Sequence, residues 1–377
     1  MNRTKQLTCI AIFGAILFFS CVFSAPTLLA DELRLTPLLD TPQNRVYYNH
    51  LLESVRRAEN SIKVLMATAD FYPDHPKGPQ DDLYDALVSA ETRGVEVMLI
   101  FDRSDWSRDI TKTNEQTASY LRNRGLAVKF DDPEVTTHAK VIVVDERVVF
   151  LGSSNWNYPT YTETYQSNVK LVSPKVASFF GNVFDSLWKK ERYDKVKPPA
   201  YPEGPAIVPL LSAGGDRLYY KFAERLISGA EESIELVIFK VTRYSGFGSS
   251  KSNTLTEKLV EAADRGVEVR MILDVNNWSE DINQSNRETA LWLLGQGIEK
   301  VKFDTRETTT HSKILLVDDE SVLLGSTNWS YYSLDKNLEA DLLVKDHPEV
   351  TQPFLIYFER LWKKSDIPSR EELSGGA

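Results

Sequence analysis

Thr36-Pro37-Leu38-Leu39 returns as Val208-Pro209-Leu210-Leu211, and Arg45-Val46-Tyr47-Tyr48 as Arg217-Leu218-Tyr219-Tyr220, each 172 positions later. The same displacement carries Ser61-Ile62 to Ser233-Ile234, Arg93-Gly94-Val95-Glu96-Val97 to Arg265-Gly266-Val267-Glu268-Val269, and Trp106-Ser107 to Trp278-Ser279. One extra residue after Gly297 makes it 173, and Leu187-Trp188-Lys189-Lys190 comes back 174 positions on as Leu361-Trp362-Lys363-Lys364. Solenoid repeats run to roughly 20–50 residues, so a unit of this length is a whole domain. The chain of 377 residues therefore encodes one domain twice. Pro198, Pro199, Pro202, Gly204 and Pro205 mark a linker between the copies. The expected boundaries are domain one over 31–195, linker over 196–207, domain two over 208–368 and a flexible tail over 369–377.

Hydrophobic periodicity gives each copy alternating helices and strands. Residues 44–60 read as an amphipathic helix, 61–69 as a buried strand, 80–93 as a helix, 95–101 as a strand ending at Asp102, and 114–124 as a helix. In the second copy Val267–Leu273 is the strand that ends at Asp274. Short apolar strands joined by helices predict an α/β fold: two tandem homologous α/β domains, each a mostly parallel or mixed sheet flanked by helices. Related by an approximate two-fold axis, the copies would bring equivalent loops together at their interface.

Residues 1–30 differ in kind. Arg3 and Lys5 precede an apolar run from Leu7 to Phe23, and small residues follow at Ser24, Ala25 and Ala30. This is the layout of a signal peptide, with an uncleaved anchor as the alternative. It implies a secreted, periplasmic or envelope location. Both cysteines, Cys9 and Cys21, lie within it, so the body expects no disulfide. Removing it takes away two of the 44 basic residues and none of the 54 acidic ones, leaving 42 − 54 = −12, which disfavours general attraction to polyanions.

Of the five histidines only His138 and His311 hold equivalent places; His50 aligns with Phe222 and His75 with Phe247, and His347 stands apart. His138-Ala139-Lys140 opens the strand Val141–Val144, and strand alternation sets His138 and Lys140 on one face. After the turn Asp145-Glu146-Arg147 the chain returns through Val148–Leu151 and delivers Gly152-Ser153-Ser154-Asn155 near His138. His311, Lys313, Asp318 and Gly325-Ser326-Thr327-Asn328 repeat the pattern. Imidazole beside ammonium suits an anion. Asp145 and Asp318 complete the motif, though each falls at a hairpin turn, where aspartate serves the backbone.

The double His-x-Lys-(x4)-Asp-(x6)-Gly-Ser-x-Asn pattern resembles the paired HKD motifs of the phospholipase D superfamily, over essentially the whole chain after the leader. The resemblance implies a phosphodiesterase with one active site between the halves, His138 as nucleophile and His311 as acid/base, without metal or other cofactor. Physically, a phosphodiester resists attack because its anionic oxygens repel nucleophiles and its leaving alkoxide is poor. Lys140, Lys313, Asn155, Asn328, Ser153 and Ser326 are the candidates to hold its non-bridging oxygens. One neutral imidazole attacks and the other donates a proton. Eleven residues after Asn328 comes Glu339, whereas the same count from Asn155 reaches Gln166. In relatives an acidic residue here bonds an active-site histidine; which one is open.

Trp156, Tyr158, Tyr161, Tyr165, Trp329, Tyr331 and Tyr332 follow the motifs and serve either ligand stacking or loop anchoring. Asp102 and Asp274 are expected to flank the cleft mouth. Phospholipid headgroup hydrolysis or transfer, at a membrane surface, is the leading reading. Nucleic acid is the alternative substrate, through a local basic track of Arg103, Arg108, Lys112, Lys240, Arg243, Lys302 and Arg306. A non-catalytic phosphoester-binding module is the third possibility. One chain suffices for a complete site, whatever its oligomeric state.

Overall fold

The computed structural model describes residues 33–73, 78–103, 107–190, 199–246 and 250–374. The leader, both cysteines, His75 and Trp106 lie outside these residues. Among the described residues no helix is long and apolar enough to cross a membrane.

The first half contains β1 (Arg34–Asp40), α1 (Val46–Arg57), β2 (Ser61–Met66), α2 (Pro79–Thr92), β3 (Glu96–Phe101), α3 (Arg108–Arg122), β4 (Ala127–Phe130), β5 (Lys140–Val144), β6 (Val148–Gly152), α4 (Tyr158–Thr162), β7 (Gln166–Val172) and α5 (Pro174–Trp188). The second repeats the series as β8 (Ala206–Ser212), α6 (Leu218–Gly229), β9 (Ser233–Ile238), α7 (Lys251–Asp264), β10 (Glu268–Leu273), α8 (Glu280–Gly295), β11 (Val301–Phe303), β12 (Lys313–Val317), β13 (Ser321–Gly325), α9 (Tyr331–Asp335), β14 (Glu339–Lys345) and α10 (Pro348–Lys364), then adds α11 (Arg370–Ser374).

Each half forms a seven-stranded sheet, in the orders β1-β7-β6-β5-β2-β3-β4 and β11-β10-β9-β12-β13-β14-β8. Only the β2-β3-β4 and β9-β10-β11 contacts are parallel; the remaining pairings are antiparallel. The sheets are thus mixed with an antiparallel majority, because only β2, β3 and β4 are joined by crossover helices. Two expected boundaries shift. β8 begins at Ala206, inside the segment read as linker, and the expected tail contains α11, whose Leu373 packs against the second half's core.

Strand alternation divides the apolar residues among three cores. Ile62, Val64 and Met66 of β2 face α1 and α2 in a core private to the first half. β9 does the same through Ile234, Leu236 and Ile238 in the second. The opposite faces share one core, in which Val141, Val143, Val149, Leu151, Val169 and Phe180 meet Ile314, Leu316, Val322, Leu324, Leu342 and Phe358. The halves are therefore joined by a common interior, flanked by α5 and α10. At roughly 25 cal/mol per Å² of buried apolar surface, that common interior stabilises the join between the halves.

Candidate active site

The two motif loops meet at the sheets' junction, where single β-bridges between the halves adjoin the histidines. His138 N donates to Leu338 O at 2.9 Å and Leu338 N to Thr136 O at 2.8 Å. Across the pseudo-two-fold, His311 N donates to Tyr165 O and Tyr165 N to Thr309 O, both at 2.9 Å. Each histidine backbone is thus pinned by the other half. Asp102 and Asp274, expected at the cleft mouth, are instead buried, Asp102 within the cleft wall. They accept from Thr137 N and Thr310 N, both at 2.6 Å, fixing the residue before each histidine. Burial pushes Asp274 up to about 6, and burial with the Asp102 charge takes its neighbour Asp131 to about 7.

The imidazoles are oriented across the interface too. His138 Nδ1 lies 2.8 Å from Glu339 Oε2, while His311 Nδ1 lies 3.0 Å from Ser153 O and 3.2 Å from Gln166 Oε1. A carbonyl oxygen and an ionised carboxylate only accept, so each Nδ1 carries the proton and each neutral ring keeps its Nε2 lone pair. Burial lowers the pKa of both rings; Glu339 offsets this for His138, whereas His311 faces Lys313, Lys140 and His138 and is held well below its ordinary value. Burial would raise Glu339, but His138 and Lys140 outweigh it and keep the carboxylate ionised.

Ser153 and Ser326 do not face the ligand space. Both are fully buried; Ser153 Oγ donates to Gln166 Oε1 at 2.7 Å and Ser326 Oγ to Glu339 Oε2 at 2.5 Å. Each accepts a backbone N–H in return, from Ser167 and Ala340. They position the residues that position the histidines, which corrects their expected role as phosphate ligands. The glycine before each serine is required by close approach: a Cβ on Gly325 would stand 2.2 Å from Asp341 Oδ1.

Lys140 and Lys313 are buried, and each ammonium donates to the carbonyl of its own motif's histidine. Burial lowers Lys140 to about 8; burial and the Lys140 charge take Lys313 well below its usual value. Two desolvated cations side by side are relieved by an anion between them. Asn155 and Asn328 line the cleft between the halves, and the Oδ1 of each is buried without a hydrogen-bond partner among the described residues.

Asp145 and Asp318 serve the backbone at their hairpin turns. They lie at the far end of β5 and β12, each in the left-handed region. The Asp145 carboxylate accepts from Glu59 N, Asn60 N and Ser61 N, and Asp318 from Glu231 N, Glu232 N and Ser233 N. They tie the hairpin to the start of the neighbouring strand and never reach the cleft.

The cleft itself is a cavity of about 800 Å³ whose walls include His138, His311, Asn155, Asn328, Gln166 and Trp278. Trp156 and Trp329 are buried anchors, donating to Tyr47 Oη and Tyr219 Oη; Tyr161 and Tyr165 are buried as well, and Tyr158, Tyr331 and Tyr332 are exposed. The basic track is interrupted. Lys240 and Arg306 line the cleft, but Lys240 pairs with Asp281, Arg243 with Glu257, and Lys302 donates to Trp362 O and Ser365 O. Among the described residues no group of three His, Cys, Asp or Glu side chains is arranged to hold a metal ion.

The family profile described as "Cardiolipin synthase, PLD-like domain" matches residues 51–188 and 224–362, once in each half. The chain belongs to the phospholipase D superfamily. Within the superfamily it is 25% identical over 318 residues to cardiolipin synthase A of Cronobacter sakazakii, covering 78% of this chain and 63% of that protein. The match to cardiolipin synthase A of Klebsiella pneumoniae is also 25%, over 320 residues, with the same coverage. The chain thus spans 63% of the length of the curated relatives it matches. The phosphatidylserine synthase of Haemophilus influenzae shares the fold with a TM-score of 0.67 at 16% identity, over 90% of this chain and 88% of that one. Polyphosphate kinase of Porphyromonas gingivalis does so at 0.60 and 15%, over 89% and 52%.

For this superfamily member, sequence reasoning missed the threonines before each histidine and the bridging of the halves by Tyr165 and Leu338. Their signal was present: threonines precede the histidine in both copies, at Thr136-Thr137 and Thr309-Thr310.

Proposed function

We propose that the protein is a phosphodiester-acting enzyme that cleaves or exchanges phospholipid headgroups through a phosphohistidine, without a metal ion. The observation that carries this is the crossed pair of anchors, which sets two imidazoles, one from each half, in the wall of a single cleft, with Lys140 and Lys313 buried two residues on from them. Similarity to cardiolipin synthases supports lipid as the substrate class.

His138 Nε2 attacks phosphorus, and the P–N bond forms as the bond to the leaving oxygen breaks. The attacking ring becomes cationic, and Glu339, already accepting from Nδ1, stabilises that charge. His311 protonates the leaving alkoxide; its depressed pKa is raised by the bound phosphate it faces. The alcohol departs, His311 takes a proton from water or a second alcohol, and that oxygen displaces His138. Lys140, Lys313, Asn155 and Asn328 hold the non-bridging oxygens. Delivered by the leader, the enzyme would meet lipid at the cell envelope.

Phosphatidylcholine vesicles with added ethanol, and separately single-stranded DNA, test this in EDTA with wild type and His138→Ala. The expected result is choline release with phosphatidic acid and phosphatidylethanol, abolished in the variant. Cleavage of DNA alone would replace lipid with nucleic acid as the substrate, and normal turnover by His138→Ala would sink the mechanism.

A further inference from the structure

The two halves supply equivalent chemistry but unequal walls. Phe239 follows β9 at the position Ala67 holds after β2: Asn286 Nδ2 donates to Phe239 O and Asn114 Nδ2 to Ala67 O, both at 2.8 Å. Both residues line the cleft. The Phe239 ring stands edge-on to His311 with centroids 4.6 Å apart, lies 4.8 Å from Lys313 Nζ, and stacks at 6.0 Å with Trp278. Trp278 is 65% exposed and donates from Nε1 to Thr309 Oγ1 at 2.9 Å, so it closes that side from outside. Beside His138 the equivalent of the Phe239 ring is one methyl group, with Thr68 and Ile110 also lining the space.

In-line displacement places the leaving oxygen opposite the nucleophile. With His138 attacking, the departing alcohol and then the incoming one occupy the His311 side, against the two rings. We infer that Phe239, backed by Trp278, is the size gate of the leaving-group and acceptor-alcohol subsite, and that the space beside Ala67 takes the group retained on phosphorus. The gate sets how alcohols of different girth compete for the intermediate, and a smaller side chain at position 239 shifts that competition toward branched ones. The inference rests on the phosphodiester transfer and the order of histidines proposed above.

The discriminating measurement is the partition of the covalent intermediate between ethanol and 3-methyl-1-butanol present together. This product ratio is set after the intermediate forms, so a general loss of activity does not move it. Phe239→Ala is expected to raise the 3-methylbutyl to ethyl ratio about tenfold, the scale on which pockets discriminate methylene groups. Ala67→Phe is expected to leave the ratio within about twofold while lowering kcat/KM. An unchanged ratio in Phe239→Ala overturns the gate, and so does a larger change in Ala67→Phe, which would put the acceptor beside His138. The ratio is read from phosphatidylcholine vesicles and from soluble bis(4-nitrophenyl) phosphate. Transfer from the soluble diester alone would remove the lipid reading while the ratio still decides the gate.

Discussion

Glu339 and Gln166 occupy equivalent places and make equivalent bonds, yet one carries a charge and the other does not. Glu339→Gln therefore copies the first half's arrangement into the second. It should keep the His138 tautomer but lose the carboxylate, lowering kcat/KM by about 10–100-fold. Because Glu339 raises the His138 pKa, its loss should move the acidic limb of the pH profile to lower pH. An acidic limb that stays put would detach Glu339 from the nucleophile. The same asymmetry recurs two residues on, where buried Asp341 stands at the place of Asn168, each holding the loop after its serine. Burial and the Glu339 charge raise Asp341 to about 8, so its folded form stays protonated while the unfolded form ionises above its ordinary value near 3.8. That linkage costs stability progressively as pH rises from about 4 to 8. Asp341→Asn should accordingly gain Tm over wild type at pH 8 and gain less at pH 5; an equal difference at both would contradict the assignment. The histidines and lysines were legible because two copies shared one spacing. The serines were misread because a hydroxyl's partner is chosen by tertiary packing, here by strands thirteen residues downstream.

Among the elements, the β5-β6 and β12-β13 hairpins connect motif spacing to geometry. Their open ends deliver the asparagines beside the histidines, and their closed ends are pinned by Asp145 and Asp318. Asp318→Ala removes the acceptor for three backbone N–H groups and should cost about 1–3 kcal/mol of stability. Turnover at 25 °C should be retained, since the carboxylate never reaches the cleft. A loss of kcat with unchanged Tm would return it to the chemistry. The alternation of α1, β2, α2, β3 and α3 was legible in the sequence, whereas β4 and the register of the parallel strands were not. Nor were the antiparallel closure of β1 on β7 and the strand formed by Ala206–Ser212. Edge pairing depends on where a distant segment lands, and the Pro209-containing run carries no periodicity of its own.

At the scale of the whole molecule, the duplication explains why neither half is sufficient. The shared core, the β-bridges Thr137–Leu338 and Tyr165–Thr310, and the exchange of histidine anchors all require both copies. The convergence of equivalent loops was foreseeable from the repeat; the crossing of the anchors was not, because sequence spacing does not say which half a side chain faces. The central claim is a covalent step on one histidine of an inequivalent pair. It is tested most directly with bis(4-nitrophenyl) phosphate, whose leaving group needs no proton, by rapid alkaline quench and peptide mass spectrometry of the His311→Ala variant. The account predicts a burst approaching one nitrophenolate per protein and a phosphoryl ester adduct on His138, with neither in His138→Ala. An adduct on another residue, or steady turnover by the His138→Ala protein, would contradict it.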